Sequence, residues 1–513
     1  MASRHRGRRW LPWVGLAASL FVIAAAAILV VLSGREGDAF DPNVEFSQTQ
    51  TQSTTHKAVQ KPPPRGKHPA DDGFVWANWG FDDQRTRVLG LDKNFRPPFR
   101  IAWRKHMRQL LEFTAVSCKR SIFILGDSGD LYKVARWTGT VQWKRHLGTL
   151  AAASPACDGK GVYAVLLRRN GSGDGRVVAL GADKGHVRWS RRLGGRAESS
   201  PLVHKGIVYF GVEDGNVYAL SARSGKLVWK FHARGAVKGG VALDKGRLFF
   251  GTYGGSVYAI SARTGHQIWR NDVASGGGLG LGGGNFYSTA AVEYGRVYLG
   301  ATNGVIYSLS AKTGKRAWQK ATDNYVYASP AVGSVAGGPP TVWIGSYNGH
   351  FYALNAQNGA VRWSRRLGGK LSGSPTVLGD LVFQSAFDRR FTWAIGANTG
   401  RILWKWHRGA FTAAISDGRR IYFNGYGTLY ALDPKGFRFS QKPLPKGTPA
   451  RARQYYKKKK AAAKRTASKH RAGRSAAQRA ARAKAAKRRR AAAKRRAAHR
   501  RYCRHHRRAK RCR

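Results

Sequence analysis

Seven times along this chain a glycine is followed four residues later by tryptophan: Gly139/Trp143, Gly185/Trp189, Gly225/Trp229, Gly265/Trp269, Gly314/Trp318, Gly359/Trp363 and Gly400/Trp404. Successive glycines lie 46, 40, 40, 49, 45 and 41 residues apart. Self-similarity at that period means one supersecondary unit stacked many times over. Each glycine follows a short β-type run, such as Asn216-Val217-Tyr218-Ala219-Leu220, and another run precedes that, such as Ile207-Val208-Tyr209-Phe210. Helical repeats of this length would show a 3.6-residue apolar period, which these Gly-rich, β-branched and aromatic runs lack. The pattern predicts an all-β, eight-bladed β-propeller with four-stranded antiparallel blades.

The motif itself has a physical reading. In Ser261-Ala262-Arg263-Thr264-Gly265-His266-Gln267-Ile268-Trp269 the glycine supplies the positive φ of a tight reversal between the third and fourth strands. The tryptophan then sits on the outer strand, where its ring can fill the wedge between blades. Burying an aromatic there is worth a few kcal/mol, at ~150–250 Å² and roughly 25 cal/mol/Å². Seven units end at a tryptophan. An eighth, running from Phe411 through Ile421-Tyr422-Phe423 to Tyr430-Ala431-Leu432-Asp433, has Ser440 where the tryptophan belongs. Phe99-Arg100-Ile101-Ala102-Trp103 has the tryptophan without preceding inner strands, so it is expected to close the ring as the outer strand of that last blade. Closure removes open sheet edges. Trp103, Trp143, Trp189, Trp229, Trp269, Trp318, Trp363 and Trp404 should then play equivalent interblade roles. Seven blades would require one unit to be spurious, the Trp103/Ser440 composite first.

The run Gly-x-Val-Tyr-Ala-Leu-x-Ala-x-Thr-Gly-x-x-x-Trp resembles the pyrroloquinoline-quinone (PQQ)-type propeller repeat, over roughly residues 75–440. That resemblance implies one of two things. One arm of the family comprises eight-bladed quinoprotein alcohol dehydrogenases. The other comprises non-catalytic scaffolds similar to the outer-membrane-protein assembly lipoprotein. The dehydrogenase arm implies PQQ, a calcium held by carboxylate and amide oxygens, an aspartate base and two adjacent cysteines. Here Cys118, Cys157, Cys503 and Cys512 are not adjacent, and Asp127, Asp130, Asp214 and Asp244 sit at strand–turn positions without local convergence. The acidic residue that family members often carry ahead of the turn is replaced at Ser221, Ser261, Ser310, Gly181 and Gly396, and no lipid-attachment cysteine follows the apolar run. The expectation is therefore a scaffold with no catalytic residues, no metal site and no cofactor, and with cofactor-binding residues unassigned. A PQQ- and calcium-dependent dehydrogenase is the alternative. Cys118 and Cys157 fall at corresponding turns of the first two blades, and an oxidising compartment would permit a disulfide. Cys503 and Cys512 allow a second, small one in preference to a metal site, because Arg and Lys crowd the interval. The glycine-rich stretch 275–284 leads into a strand instead of opening a helix, so it reads as an insertion between blades four and five rather than as a phosphate cradle.

Outside the repeats, composition changes sharply. The 513 residues carry 91 Lys+Arg against 26 Asp+Glu, a formal charge of +65. Residues 451–513 contribute 29 of those cations and no carboxylate. Five segments are expected: a basic cytoplasmic N-terminus (1–10), a transmembrane helix (11–32), a disordered polar, Pro-rich linker (33–72), the propeller (73–440) and a disordered Lys/Arg/Ala-rich tail (441–513). The 22 uncharged residues of 11–32 would rise about 33 Å as a helix, enough for a hydrocarbon core of roughly 30 Å. Arg4, Arg6, Arg8 and Arg9 precede that run, which places the N-terminus inside and everything after Ser33 outside the cell membrane. A cleaved signal peptide is the competing reading, against which stand the length of the run and the poor site at Leu32-Ser33-Gly34. The linker should act as an extended tether. In the tail, Lys457, Lys458, Lys459, Lys460, Lys487, Arg488, Arg489, Arg490, Lys494, Arg495 and Arg496 form two blocks suited to a polyanion. With the tail outside the cell, anionic lipid or an envelope polymer is the expected partner. Nucleic acid would replace it only if the topology were reversed. The propeller loops are expected to hold a protein or envelope-polymer partner.

Overall fold

Each repeat becomes one four-stranded antiparallel sheet, because its apolar residues alternate along short runs separated by glycine turns. A computed structural model describes residues 38–39, 44–47, 75–91, 95–167, 175–274, 283–409 and 414–434. Eight such sheets follow one another in chain order. Blade 3 is representative, with strands Leu202–His204, Ile207–Gly211, Asn216–Ser221 and Leu227–His232 from axis to rim. Its two middle strands are buried on both faces. The rim strand alternates, burying Trp229 between exposed neighbours.

The turn to the rim strand is built the same way in blade after blade. In blade 3 the Gly225 N–H donates to the Ser221 carbonyl at 2.8 Å, with φ +69° at Gly225. Register shifts by one residue just before it, at Ala219/Leu220 here and at Ala259/Ile260 in the next blade. That bulge points the tryptophan at the neighbouring sheet. The core is accordingly a ring of sheet-on-sheet interfaces. One packs Tyr163 and Val177 of blade 2 on Val208 and Phe210 of blade 3. The next packs Tyr209 and Ala219 of blade 3 on Phe250 and Ile260 of blade 4.

The ring closes through the chain ends. Arg100–His106 forms the rim strand of blade 8 and pairs antiparallel with Thr428–Asp433, Trp103 standing opposite Ala431. Buried ion pairs lock the seam. Arg136 of blade 1 lies 3.3 Å from Asp417 of blade 8, and Arg420 donates to Asp433 at 2.6 Å and to the Trp137 carbonyl at 2.8 Å.

Two sheets carry a fifth strand. Val88–Leu89 adds in parallel to the innermost strand of blade 7, Thr376–Leu378. Asp38–Ala39 adds antiparallel to the rim strand of blade 5, Arg316–Ala321. The second addition departs from a uniform tether over 33–72, because residues 44–47 continue it along the same blade. Phe46 packs on Tyr294 with ring centroids 5.4 Å apart, Val44 is buried, and Arg296 donates to the carbonyls of Glu45 (2.8 Å) and Val44 (2.7 Å). Lys312 pairs with Glu45 at 3.0 Å. Blade 5 has small Ala317 on its rim strand where blade 3 has Val228, and with the latch in place Ala317 and Trp318 are buried while Leu227 and Val228 of blade 3 stay exposed. No helix among the described residues is long and apolar enough to cross a membrane; residues 11–32 and the tail lie outside them.

Candidate functional site at the axial mouth

Ahead of the first blade, residues 75–91 run around the propeller axis and bond the inner strands of seven blades in order. Trp76 exchanges hydrogen bonds with Ser117 of blade 1, and the Ala77 carbonyl accepts from Cys157 of blade 2. The Asn78 side chain accepts from Val203 of blade 3. The carbonyls of Asp83, Gln84, Thr86 and Arg87 then accept from Leu243, Val292, Val332 and Val377 of blades 4 to 7. An inner strand has unpaired backbone groups facing the axis, and this segment satisfies at least one from each of blades 1 to 7.

Its charged side chains are buried with it. The Arg85 guanidinium donates to the carbonyls of Val241 (2.9 Å), Ser200 (3.2 Å), Pro201 (3.3 Å) and Trp79. Arg87 donates to the Arg85 carbonyl at 2.9 Å and lies 4.0 Å from the centre of the Trp79 ring. Burial lowers both guanidiniums, Arg85 to about 10 and Arg87 to about 9. Asp82 accepts from the Thr86 N–H at 2.8 Å and from the Thr86 hydroxyl, and burial pushes its carboxyl up to about 6. These groups are the staples of a plug.

Above the plug remains a cavity of about 270 Å³ with Trp79 in its lining. Blade-to-blade connections and second-to-third-strand turns form its wall. One side is an aromatic arc: Tyr253, Tyr287, Tyr327, Tyr347 and Phe387, with successive ring centroids 6.3, 5.9, 4.9 and 6.5 Å apart. On the other side stand Glu112, Glu198 and Lys238. Lys238 donates to Glu198 at 3.4 Å, lies 3.3 Å from Glu213 and sits 5.0 Å from the Tyr253 ring centre. Tyr287 donates to Glu198 at 3.2 Å. Burial raises the carboxyls of Glu112 and Glu198, and burial together with those carboxylates raises Tyr287 well above its ordinary value, keeping its hydroxyl a donor. Aromatic faces, hydroxyl donors and two carboxyls form a binding surface. Its titratable side chains are Glu112, Glu198, Lys238 and the tyrosines.

For the PQQ–calcium pair that the dehydrogenase alternative would need, the residues in question are those along the axis. Backbone and two arginines fill the axis, and no group of three or more His, Cys, Asp or Glu among the described residues could hold a metal.

The repeat tryptophans lie at the rim, away from the mouth, and bridge adjacent blades. Their indole N–H groups donate to the next blade's turn: Trp103 to the Arg136 carbonyl (3.1 Å), Trp143 to Asp183 (3.0 Å), Trp189 to Ala222 (3.0 Å) and Trp229 to Ala262 (3.1 Å). Trp269 donates to Ala311 (3.2 Å), Trp318 to Ala356 (2.9 Å) and Trp363 to Ala397 (3.0 Å). Trp404 packs edge-on to Phe99 at 5.1 Å, and the turn it would address lies outside the described residues. Cys118 and Cys157 form a disulfide between the innermost strands of blades 1 and 2, with Cα atoms 6.3 Å apart. Lys457–Lys460, Lys487–Arg490, Lys494–Arg496, Cys503, Cys512 and residues 275–282 are outside the described residues.

Sequence reasoning missed the plug, the aromatic arc and a belt of hydroxyls around the axis. In the belt, Ser200 accepts from the Ser154 N–H (3.0 Å), Thr289 from Gly240 (2.7 Å), Ser329 from Thr289 (2.8 Å) and Ser374 from Ser329 (2.9 Å). A signal for the belt exists: Ser-Pro recurs at 154–155, 200–201, 329–330 and 374–375.

Comparison with known proteins follows the same lines. The sequence model of the family described as outer membrane protein assembly factor BamB matches residues 127–236 and 213–435. No curated protein sequence matches the chain. Among solved structures, BamB from Moraxella catarrhalis is similar at 19% identity and a TM-score of 0.54, covering 65% of this chain and 99% of that one. A europium-containing methanol dehydrogenase is similar at 13% identity and 0.58, covering 70% and 98%. The quinohemoprotein alcohol dehydrogenase from Comamonas testosteroni is similar at 16% and 0.58, covering 73% and 82%. At these identities the structural likenesses speak for the fold alone.

Proposed function

Because the chain belongs to the family of the outer membrane protein assembly factor BamB, we propose that it is a non-catalytic assembly scaffold, membrane-anchored through residues 11–32, with propeller and tail outside the cell. The observation that carries this reading is the plug: residues 75–91 take the axial space and leave an aromatic mouth suited to holding a partner. The partner is a protein segment whose apolar side chains meet Tyr327 and Tyr347 and whose polar groups meet Glu112 and Glu198. The two basic blocks of the tail fasten the assembly to an anionic lipid or envelope polymer.

A photo-crosslinking amino acid in place of Tyr347, in cells, should give a discrete protein adduct that a rim position such as Arg188 does not give. Identical adducts at both positions would remove the mouth from the reading. Supplying PQQ and calcium to the purified full-length protein tests the dehydrogenase alternative: a stoichiometric chromophore that reduces dye with alcohols would displace the scaffold. Deleting residues 451–513 should abolish salt-sensitive pull-down on envelope fragments, and unchanged pull-down would remove the tail's role.

A further inference from the structure

The latch on blade 5 fixes the side from which the N-terminal chain reaches the propeller. In each blade the second-to-third turn and the connection to the next blade lie on the mouth face, as Tyr253, Tyr347, Glu198 and Tyr327 show by lining the cavity. The first-to-second and third-to-fourth turns therefore lie on the opposite face. Arg316–Ala321 is a fourth strand, so it runs from the far face toward the mouth face. Asp38 pairs with Gln319 and Ala39 with Trp318 in antiparallel register. The chain thus descends from the mouth side and reaches the far-face turns afterward, where Glu45 meets Lys312 and Phe46 meets Tyr294.

That direction matters because of a length. Only residues 33–37 separate the apolar run from the paired strand. Five residues span at most about 18 Å, against about 140 Å for all forty residues of 33–72. Chain that reaches blade 5 from the mouth side on so short a lead brings that side of the rim to the bilayer. Exposed cations occur on both faces, the far-face turns carrying Lys119, Arg120, Lys205, Lys245 and Lys312, so the short lead selects the side and the mouth-side surface has only to be compatible with a bilayer. Lys370, Arg389, Arg390 and Arg408 are exposed on the mouth side of blades 6 and 7, alongside exposed carboxylates of Asp323 and Asp388. Tyr325 and Tyr426 stand among them at 50% and 46% exposure, and Arg390 lies 4.4 Å from the Tyr426 ring centre. Tyrosine with arginine and lysine suits the interface of an anionic bilayer. Across the mouth, Glu198 and Glu213 already engage Arg196 and Lys238.

We propose that the mouth face, with the side of blades 5 to 7 foremost, rests against the anionic headgroups of the bilayer, held there by the 38–47 latch. This rests on the reading of residues 11–32 as an anchor, and it has a functional consequence: a partner would enter the mouth from the membrane side.

The test uses full-length protein carrying Cys503→Ser and Cys512→Ser, with one dye-labelled cysteine introduced as Tyr325→Cys on the mouth side or Arg263→Cys in a far-face turn. The buried Cys118–Cys157 disulfide remains intact. After reconstitution into phosphatidylcholine–phosphatidylglycerol vesicles containing nitroxide-headgroup lipid, the dye at 325 should be quenched several-fold more than the dye at 263. Equal or reversed quenching in protein that floats with the vesicles overturns the orientation and leaves the anchor standing. Protein that fails to float overturns both. Releasing the latch with Phe46→Asp, or reversing charge with Arg389→Glu and Arg390→Glu, should each narrow the difference while flotation persists. A difference indifferent to both changes would also overturn the proposal.

Discussion

A Cβ added at Gly265 would stand 2.8 Å from Cδ2 and Cε3 of Trp229, and the same meeting recurs between Gly225 and Trp189, Gly314 and Trp269, and Gly400 and Trp363. The glycine of the repeat therefore does two things: it takes a positive φ, and it offers bare backbone as a seat for the previous blade's indole. Trp143, Trp189, Trp229, Trp269 and Trp363 are each paired with a glycine about forty residues ahead as well as with the one four residues behind, which is why the two are repeated together. Gly206 separates the two effects, since its φ is +80° and a Cβ there would meet nothing within 4 Å. Gly206→Ala should cost about 1 kcal/mol from the backbone alone, and Gly265→Ala at least twice as much, read as the shift in urea midpoint. Equal shifts would show that the seat has no energetic role. At the axis, Asp82 keeps its proton to about pH 6 when folded and releases it near 3.8 when unfolded. The folded state binds more protons between those values, so stability falls as pH rises through that window, by roughly 3 kcal/mol if the whole shift is expressed. Asp82→Asn has no such slope. The stability of the native protein relative to this variant should decline from about pH 4 to about pH 6, and a constant difference would reject the buried, protonated carboxyl.

At the scale of elements, strands that carry the repeat were legible and segments that borrow their partners were not. The third strand Asn216–Ser221 and the rim strand Leu227–His232 announce themselves by alternation, a glycine turn and a tryptophan, all local signals. Even the composite eighth blade could be read, because Trp103 lacked inner strands and residues 428–433 lacked an outer one. The plug could not. Gln84-Arg85-Thr86-Arg87 is polar and non-alternating, and fully buried arginine is rare enough that such a run reads as surface. Its burial depends on carbonyls of Ser200, Pro201 and Val241, more than a hundred residues away. The latch was hidden in the same way, since Glu45 and Phe46 have meaning only beside Lys312 and Tyr294. Tyr287 and Tyr327 lie in blade-to-blade connections of unequal length, and Tyr253 and Tyr347 take a second-to-third-turn position that is Glu213 in blade 3 and Thr302 in blade 5, so neither pair follows the repeat that made the blades visible. Between the legible and the hidden is the Cys118–Cys157 bridge, which the positions permitted and only the fold could decide. It staples two inner strands 39 residues apart in sequence, a span for which a disulfide typically contributes about 2–4 kcal/mol. Reductant should lower the thermal midpoint of the native protein and leave that of a Cys118→Ser, Cys157→Ser variant unmoved. A midpoint indifferent to reductant would mean that the bridge adds nothing.

For the molecule as a whole, the consequential fact is that seven blades are continuous hairpins and one is not. In blade 3 the strand bearing Trp229 is tied by its own turn to Asn216–Ser221, so weakening its packing leaves it tethered a few residues from its partner. The strand bearing Trp103 pairs with residues more than three hundred positions away, and no turn returns it if it leaves. Its hold is the Trp103 indole in blade 1, a 3.1 Å hydrogen bond to the Arg136 carbonyl, and the ladder to Thr428–Asp433. Detachment frees a strand and exposes a sheet edge, with the loop-closure entropy of the whole ring favouring the open state. The same substitution at two equivalent rim positions should therefore have unequal consequences for dynamics. In Trp103→Ala, amides of 100–106 and 428–433 should exchange through a local opening, well before the rest of the propeller. In Trp229→Ala, amides of 227–232 should keep exchanging with their blade, although blade stability falls. Hydrogen exchange read by mass spectrometry on both variants distinguishes the two modes. Uniform exchange across Trp103→Ala would mean that the ion pairs Arg136–Asp417 and Arg420–Asp433 hold the seam without the tryptophan, and that ring closure is secured from the inner strands rather than from the rim.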